Sequence, residues 1–361
     1  MSGRQIVIVM SGFPRRSETF ALGELLALEA RGTLATIFAT KPGDGGSVQP
    51  GCERLLKRLR FLPQGSPRDR ADFISQSFAG GRIGGIHGYF AHTPAEVAAR
   101  AAANLNVPYG FSVHARDARK VSPDELAERA KGAACVVACN TDVAQNIQRS
   151  GARVHLLPHG VDLQRFRPRP PTSIPPAASL RLLAVGRLVE KKGLHILLAA
   201  VARLKFPFRL RIVGEGPERD HLSHMITANG LTGRVTLHGG MTHAELPAAY
   251  REAHVVVVPS VQDQSGDRDG LPNVVLEAMA CGRPVVASDI SAIGDAVAHG
   301  ETGMLVPPGD PVALASALEQ LCPQTALRER LSRNGRERVE RDYELGRCTG
   351  RFQQLLESVY S

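Results

Sequence analysis

Short, near-continuously apolar runs alternate with helically spaced segments along almost the whole chain, and this alternation constrains the fold more than any single motif. In the first half, the strand-length runs are 6–10, 34–39, 83–90, 109–113, 134–138 and 154–157. Segments 19–31, 94–104, 124–131 and 141–150 between them place apolar residues three and four apart, as a helix requires. Strands that are apolar on both sides need cover on both sides, the condition of a parallel sheet flanked by helices. A Pro-rich stretch over 167–178 reads as a linker. The alternation then restarts. Strands are expected at 182–185, 209–213, 235–238, 255–259, 284–287 and 304–306. The matching helices are 194–205, 217–229, 244–252, 273–280, 311–321, 326–341 and 347–360. The expected fold class is α/β, with two doubly wound Rossmann-like domains facing across a cleft. The expected domains are 1–165, a linker at 166–178, then 179–342, with a helix in 343–361 crossing back to the first domain. A length of 361 residues suits two domains. In open parallel sheets, ligands bind beyond the carboxyl ends of the strands.

Composition narrows the function. With 43% hydrophobic and 22% charged residues, the chain is neither disordered nor fibrous. It has no Trp and 5% aromatics, which leaves few platforms for stacking bases and argues against nucleic acid as a partner. No apolar run approaches the roughly 20 residues of a membrane helix. The apolar run before Ser11 is shorter than a signal peptide's. Six cysteines without a C-x-x-C pair suit a reducing cytoplasm. The net charge is +9, and residues 1–165 hold 21 Lys and Arg against 14 Asp and Glu. Nucleic acid, an anionic membrane or a phosphate-bearing acceptor could use that basic half. Residues 52–77 place Lys57, Arg58, Arg60, Arg68 and Arg70 near Leu55, Leu56, Leu59 and Phe61. As one amphipathic helix, this segment would lie on an anionic membrane surface at the inner face of the cell. The alternative is a solvated basic face.

The polar punctuation falls at strand ends: Ser11-Gly12, His114, Pro158-His159-Gly160, Gly186-Arg187 and Gly214-Glu215-Gly216. Gly186 lets the chain leave its strand close to a ligand. Arg187 offers a planar fork of donors suited to phosphate, and Lys192 a compact charge near the start of the next helix. Together with that helix's free amides they form a pyrophosphate site. Further on, Gly270 allows a tight turn and Pro272 suits the first turn of a helix. The amides of Leu271, Asn273 and Val274 would then point at an anion. Asp269 and Glu277 flank them and suit sugar hydroxyls, Asp269 on a hexose and Glu277 on a ribose. Glu277 lies on a helix apolar nearly all round, so it is buried and needs a partner. Glu18 is either an acceptor contact or a helix N-terminal acid. His87 and His92 fit no common metal spacing and read as structural.

These segments resemble one family. Gly186-Arg187…Lys192-Gly193, Gly214-Glu215-Gly216-Pro217-Glu218-Arg219 and Asp269-Gly270-Leu271-Pro272-Asn273…Glu277-Ala278-Met279-Ala280-Cys281-Gly282 are similar to glycosyltransferase family four. His114-Ala115-Arg116-Asp117 and Pro158-His159-Gly160-Val161-Asp162…Phe166 match it more loosely. Phe13–Phe20 and Gly266–Gly270 resemble its exopolysaccharide branch, including the colanic-acid type. The resemblance implies the GT-B fold and a retaining hexosyl transfer from a nucleoside diphosphate sugar to a hydroxyl, with no metal or other cofactor. It implies that Gly12, Gly186, Arg187, Lys192, Gly214, Gly270, Leu271, Pro272, Asn273, Val274 and Glu277 hold the donor. His114 and Asp269 would meet its sugar, with Asp117 orienting His114. The acceptor would be a sugar or lipid-linked sugar. Two positions depart from the family pattern: Asp269 stands where Glu is usual, and His159 where Asn is usual. Two rival readings stay open. They are a sugar-nucleotide epimerase of the same fold, and a basic module that binds nucleic acid or membrane.

Overall fold

The computed structural model describes residues 5–15, 18–43, 51–79, 81–114, 121–148, 152–168 and 179–360. They fall into two units: Met1–Gly160 with Leu345–Ser361, and Val161–Glu344. Most of the Pro-rich stretch, along with Ser17 and Asp117, lies outside the described residues.

The first unit holds a parallel sheet of β1 (Gln5–Met10), β2 (Leu34–Ala39), β3 (Leu59–Phe61), β4 (Ile83–Gly88), β5 (Tyr109–Val113), β6 (Cys135–Ala138) and β7 (Val154–Leu156). Their order is β3-β2-β1-β4-β5-β6-β7, so the winding reverses between β1 and β4. Helices α1 (Thr19–Ala30), α2 (Cys52–Leu56), α3 (Pro67–Ser77), α4 (Thr93–Leu105), α5 (Pro123–Lys131) and α6 (Thr141–Gln148) accompany it. Two helix starts are set by capping boxes. Ser66 and Asp69 bond reciprocally at α3, as do Ser122 and Glu125 at α5.

The second unit repeats the plan. Strands β8 (Leu180–Val185), β9 (Phe208–Val213), β10 (Val235–Gly239), β11 (Val255–Val258), β12 (Val285–Ser288) and β13 (Met304–Val306) are parallel. Their order is β10-β9-β8-β11-β12-β13, reversing between β8 and β11. Helices α7 (Leu194–Val201), α8 (Arg219–Ala228), α9 (Leu246–Glu252), α10 (Asn273–Ala280), α11 (Ile293–Ala296), α12 (Pro311–Leu321) and α13 (Thr325–Asp342) follow in turn. Apolar clusters form on both faces of this sheet. Along β8, Leu182 and Ala184 enter one cluster and Leu183 the other, as strand alternation dictates. The fold class is therefore α/β with two doubly wound Rossmann-like domains, the GT-B class.

The last helix, α14 (Leu345–Tyr360), belongs to the first unit. Its Tyr360 ring is buried under the sheet, with Oη 3.1 Å from His87 Nδ1. Two glycines make that room. A Cβ on Gly85 would lie 2.3 Å from the Tyr360 ring, and one on Gly110 2.6 Å from its hydroxyl. Residues 161–165, placed from sequence with the first domain, pack in the second unit. Val161 donates to the Tyr343 carbonyl at 2.8 Å, and Val161 and Phe166 join the second unit's core.

Segment 52–77 is not one amphipathic helix. It breaks into α2, the edge strand β3 and α3, because 59–61 pair with β2 and Ser66 caps a new helix. Leu55 is buried in the core rather than free to enter a membrane. Arg58 donates to the carbonyls of Leu34 and Ala35 at 3.1 and 3.3 Å, and Arg60 lies over the rings of Phe38 and Phe73. Leu56 and Phe61 remain exposed, at 40% and 49%.

Candidate active site

The winding of the second sheet reverses between β8 and β11, and the loops that follow those strands diverge there. This is where open parallel sheets bind ligands. The loop after β8 carries Gly186 and Arg187, then a 3-10 turn over Glu190–Lys192. The loop after β11 carries Ser260, Asp267, Asp269 and Gly270 and ends at α10.

The tightest glycine here is not Gly186, where a Cβ would simply touch the Lys192 stem at 3.5 Å. It is Gly214, after β9, with φ +151°. A Cβ there would lie 1.8 Å from the Gly186 carbonyl oxygen. Gly193 is equally confined, at φ +61° and 1.8 Å from the Pro259 oxygen. These contacts let the loops after β8, β9 and β11 lie against one another. Glu215 accepts from the Leu188 amide with its carbonyl, while its carboxylate faces the Gly240 amide at 3.4 Å.

Lys192 sits in the 3-10 turn, separated from α7 by Gly193, rather than at that helix's start. Its Nζ donates to Asp269 Oδ2 at 2.6 Å, and Ser260 Oγ donates to the same oxygen at 2.9 Å. Lys191 is buried and donates to Asp267 at 2.9 Å, with Asp269 Oδ1 3.7 Å away. Burial alone would raise the Asp269 carboxyl, but Lys192, Lys191 and Ser260 outweigh it and hold it below its ordinary value. Arg187 is exposed and forms no hydrogen bond or ion pair among the described residues. The cluster thus sets three cations against two carboxylates, with Arg187 as the unspent charge.

Pro272 is the residue before α10, extended at φ −68° and ψ 134°, not the first helical residue. Its carbonyl accepts from the Val275 amide at 3.0 Å. Asn273 and Val274 are the first two helical residues, whose amides have no partner within a helix. Gly270 is buried beside them, and Leu271 is partly buried. One turn on, Glu277 is buried, and the Tyr250 hydroxyl of α9 donates to its Oε2 at 2.7 Å. Burial pushes the Glu277 carboxyl up to about 7, against opposing pulls from Tyr250 and Arg165.

In the first unit, Gly12 follows β1, and its Cβ would crowd Arg15 and the Pro42 carbonyl at 3.0 and 3.2 Å. Glu18 accepts from Arg15 at 3.0 Å. His114 ends β5, buried among the rings of Phe20, Tyr89, Phe90 and His159. His87 is structural, with its ring nitrogens 3.1 Å from Tyr360 Oη and 2.9 Å from Ser112 Oγ.

Comparison with known proteins agrees with this geometry. A model described as "Glycosyltransferase Family 4" matches residues 17–165, and one described as "Glycosyl transferases group 1" matches 179–324. The chain belongs to glycosyltransferase family 4. Among curated members, the putative colanic acid biosynthesis glycosyltransferase WcaL of Escherichia coli (strain K12) is 37% identical over 195 residues, 51% of this chain and 46% of its own length. Alpha-D-kanosaminyltransferase of Streptomyces kanamyceticus is 36% identical over 156 residues, 42% of this chain and 39% of its own. The chain spans about half the length of the curated relatives it matches. Among solved structures, Anabaena Alr3699/HepE in complex with UDP has a TM-score of 0.82 at 20% identity, covering 98% of this chain and 100% of that one. Sucrose-phosphate synthase (tll1590) from Thermosynechococcus elongatus has a TM-score of 0.80 at 24% identity, covering 99% of each. At these identities the likeness is one of fold.

Sequence reasoning passed over three site residues of this family-4 chain: Lys191, Ser260 and Tyr250. Lys191 hides behind Lys192 in the motif. Ser260 and Tyr250 lie outside every motif and reach the site only through β11 and α9.

Proposed function

We propose that this chain transfers a hexose from a nucleoside diphosphate sugar to a hydroxyl acceptor, with retention at the anomeric carbon and without a metal, in polysaccharide assembly. The observation that carries the reading is the unspent Arg187 beside the Lys192–Asp269 pair and the α10 N-terminus, at the switch point of the second sheet. A diphosphate there would meet Arg187, the Asn273 and Val274 amides, and the further N–H donors of Lys192. Such preorganised donors are worth a few kcal/mol each where charge develops. Asp269, anchored by Lys192 and Ser260, presents its carboxylate to sugar hydroxyls, and Glu277 serves the ribose. His114 offers a hydrogen bond to the hexose.

In the step itself the bond from the anomeric carbon to the phosphate oxygen breaks, and its electron pair leaves with the nucleoside diphosphate. The acceptor oxygen bonds to the same face of that carbon, and its proton passes to the departing phosphate. No carboxylate in the motifs stands as a nucleophile for double displacement. UDP is the first nucleotide to try, since HepE, of the same fold, has been crystallised with UDP and with UDP-glucose. The acceptor is a sugar or lipid-linked sugar, met at an anionic membrane surface through exposed Leu56 and Phe61 with Lys57 between them.

The test is a thermal-shift panel of UDP, GDP, ADP and their sugars with and without EDTA, followed by NMR of the anomeric configuration of the product. Binding raises the melting temperature by mass action. One nucleotide should stabilise the chain in EDTA and yield an α-linked product from an α-linked donor. Stabilisation that requires Mg2+ or Mn2+ would overturn the metal-free step, and an inverted product would overturn retention.

A further inference from the structure

One cluster in the first unit is not used by the donor loops. Glu24 lies on α1, Tyr89 follows β4, and His159 follows β7, so three separate segments converge on one carboxylate. Glu24 Oε1 accepts from His159 Nδ1 at 2.9 Å, and its other oxygen accepts from the Tyr89 hydroxyl. The His159 ring lies nearly parallel to that of His114, at 9° with centroids 5.2 Å apart. Phe20 stacks on His159 at 4.0 Å and also touches His114.

We propose that Glu24, by clamping His159 against the His114 ring, is a positioning residue that fixes His114 at the end of β5. The proposal rests on the reading in which His114 serves the donor sugar. Three of the four rings around His114 belong to Phe20, Tyr89 and Phe90, which hold it only by packing. His159 alone brings a charge that another residue controls. Two imidazoles stacked this closely in a buried site cannot both be protonated without strong repulsion. Glu24 decides which one is. Burial would lower the His159 imidazole, but the Glu24 carboxylate and the neighbouring Cys139 outweigh it and push it up to about 10. His114 is held well below its ordinary value, first by burial and then by His159, His87 and His92. Tyr89 faces Glu24 and Glu18 and is raised by burial and by both acids, so it stays a donor. The result is an imidazolium at 159 and a neutral imidazole at 114. The asparagine usual at position 159 in the resembling family could take the Glu24 hydrogen bond but not the charge, so in this chain the two departures from neutrality come as a pair.

The experiment is a histidine 13Cε1 NMR titration of the full chain, as wild type, His159→Asn and Glu24→Gln, alongside pH profiles of kcat/KM. Glu24→Gln keeps the size and the Tyr89 contact, so it serves if His159→Asn does not fold. In wild type, the His159 signal should remain that of the charged ring through pH 8, and His114 should stay neutral down to about pH 5. In both variants the His114 titration should move up by one unit or more toward the ordinary imidazole range. The acid limb of kcat/KM should move with it, about a tenfold loss at pH 6, carried by kcat more than by KM. An unchanged His114 titration in both variants would overturn the proposal. The NMR arm reads the coupling even if no donor is turned over, so failure of the transferase reading is seen separately.

Discussion

The residue that decides most at the donor loops is Asp269. It is a methylene shorter than the glutamate usual at its position, and it compensates by binding Lys192 and Ser260 directly. That leaves Arg187 to meet the incoming diphosphate and makes Lys192 both a structural and a phosphate-facing cation. Arg187→Ala should lower turnover on the order of 100-fold with unchanged melting, because it removes only the unspent charge. Lys192→Ala should lose a similar factor, and here the melting temperature should also fall, since Asp269 is left buried with less compensation. Steady-state kinetics with parallel thermal melts check both. Glu277 makes an opposite prediction about pH. Its folded carboxyl, near 7, lies above the ordinary value of 4.5. Its protonated form therefore stabilises the fold fully below about pH 4.5, and this stabilisation is withdrawn between there and pH 7. The change amounts to about 3 kcal/mol. Glu277→Gln should thus melt higher than wild type at pH 8, on the order of 5 °C, and close to it at pH 4.5, while losing affinity for the nucleotide sugar.

At the scale of elements, the site exists because three loops pack against each other's backbone. Gly214→Ala drives a methyl into the Gly186 carbonyl at a backbone angle that alanine avoids. It should cost about 2 kcal/mol or more and weaken nucleotide binding in the same variant, a pairing visible in one thermal-shift experiment with and without UDP. The first unit depends in the same way on α14. Tyr360→Ala empties the space left by Gly85 and Gly110 and removes the hydroxyl beside His87. It should destabilise the first unit by about 3–5 kcal/mol, measured by hydrogen exchange of β4 and β5 amides.

At the scale of the whole molecule, charge is the open lever. The excess of basic residues in the first 165 positions is partly spent inside the fold: Arg58 holds β2 carbonyls, Arg60 covers aromatic rings, and Arg54 pairs with Glu29. Reversing Arg58 or Arg60 would therefore test folding as much as membrane binding. Leu56→Ser, Lys57→Glu and Phe61→Ser touch only exposed side chains. We expect wild type to co-sediment with anionic vesicles at low salt, to release as salt rises, and to lose binding in the triple variant. Wild type left entirely in the supernatant at low salt would remove the membrane from the account. Among the described residues no helix is long and apolar enough to cross a membrane, so any such binding is to the surface.

Much of this was legible in the order of residues alone. The period of the apolar pattern, the glycines at strand ends and the run from Asp269 to Gly282 are local signals, and local geometry follows from them. They determined two parallel-sheet domains and the segments that supply the donor loops. Partnership is different, because it joins residues far apart in the chain. Lys192 with Asp269, Tyr250 with Glu277, and His159 with Glu24 are separated by 77, 27 and 135 positions. No spacing rule reaches across such distances. Segment 52–77 misled for the same reason: its helical reading lost to pairing with β2, whose hydrogen bonds come from a different stretch of chain. Which side chains can carry charge is written in the sequence. Which charges are neutralised, buried or left free is decided only when the sheets bring their carboxyl ends together.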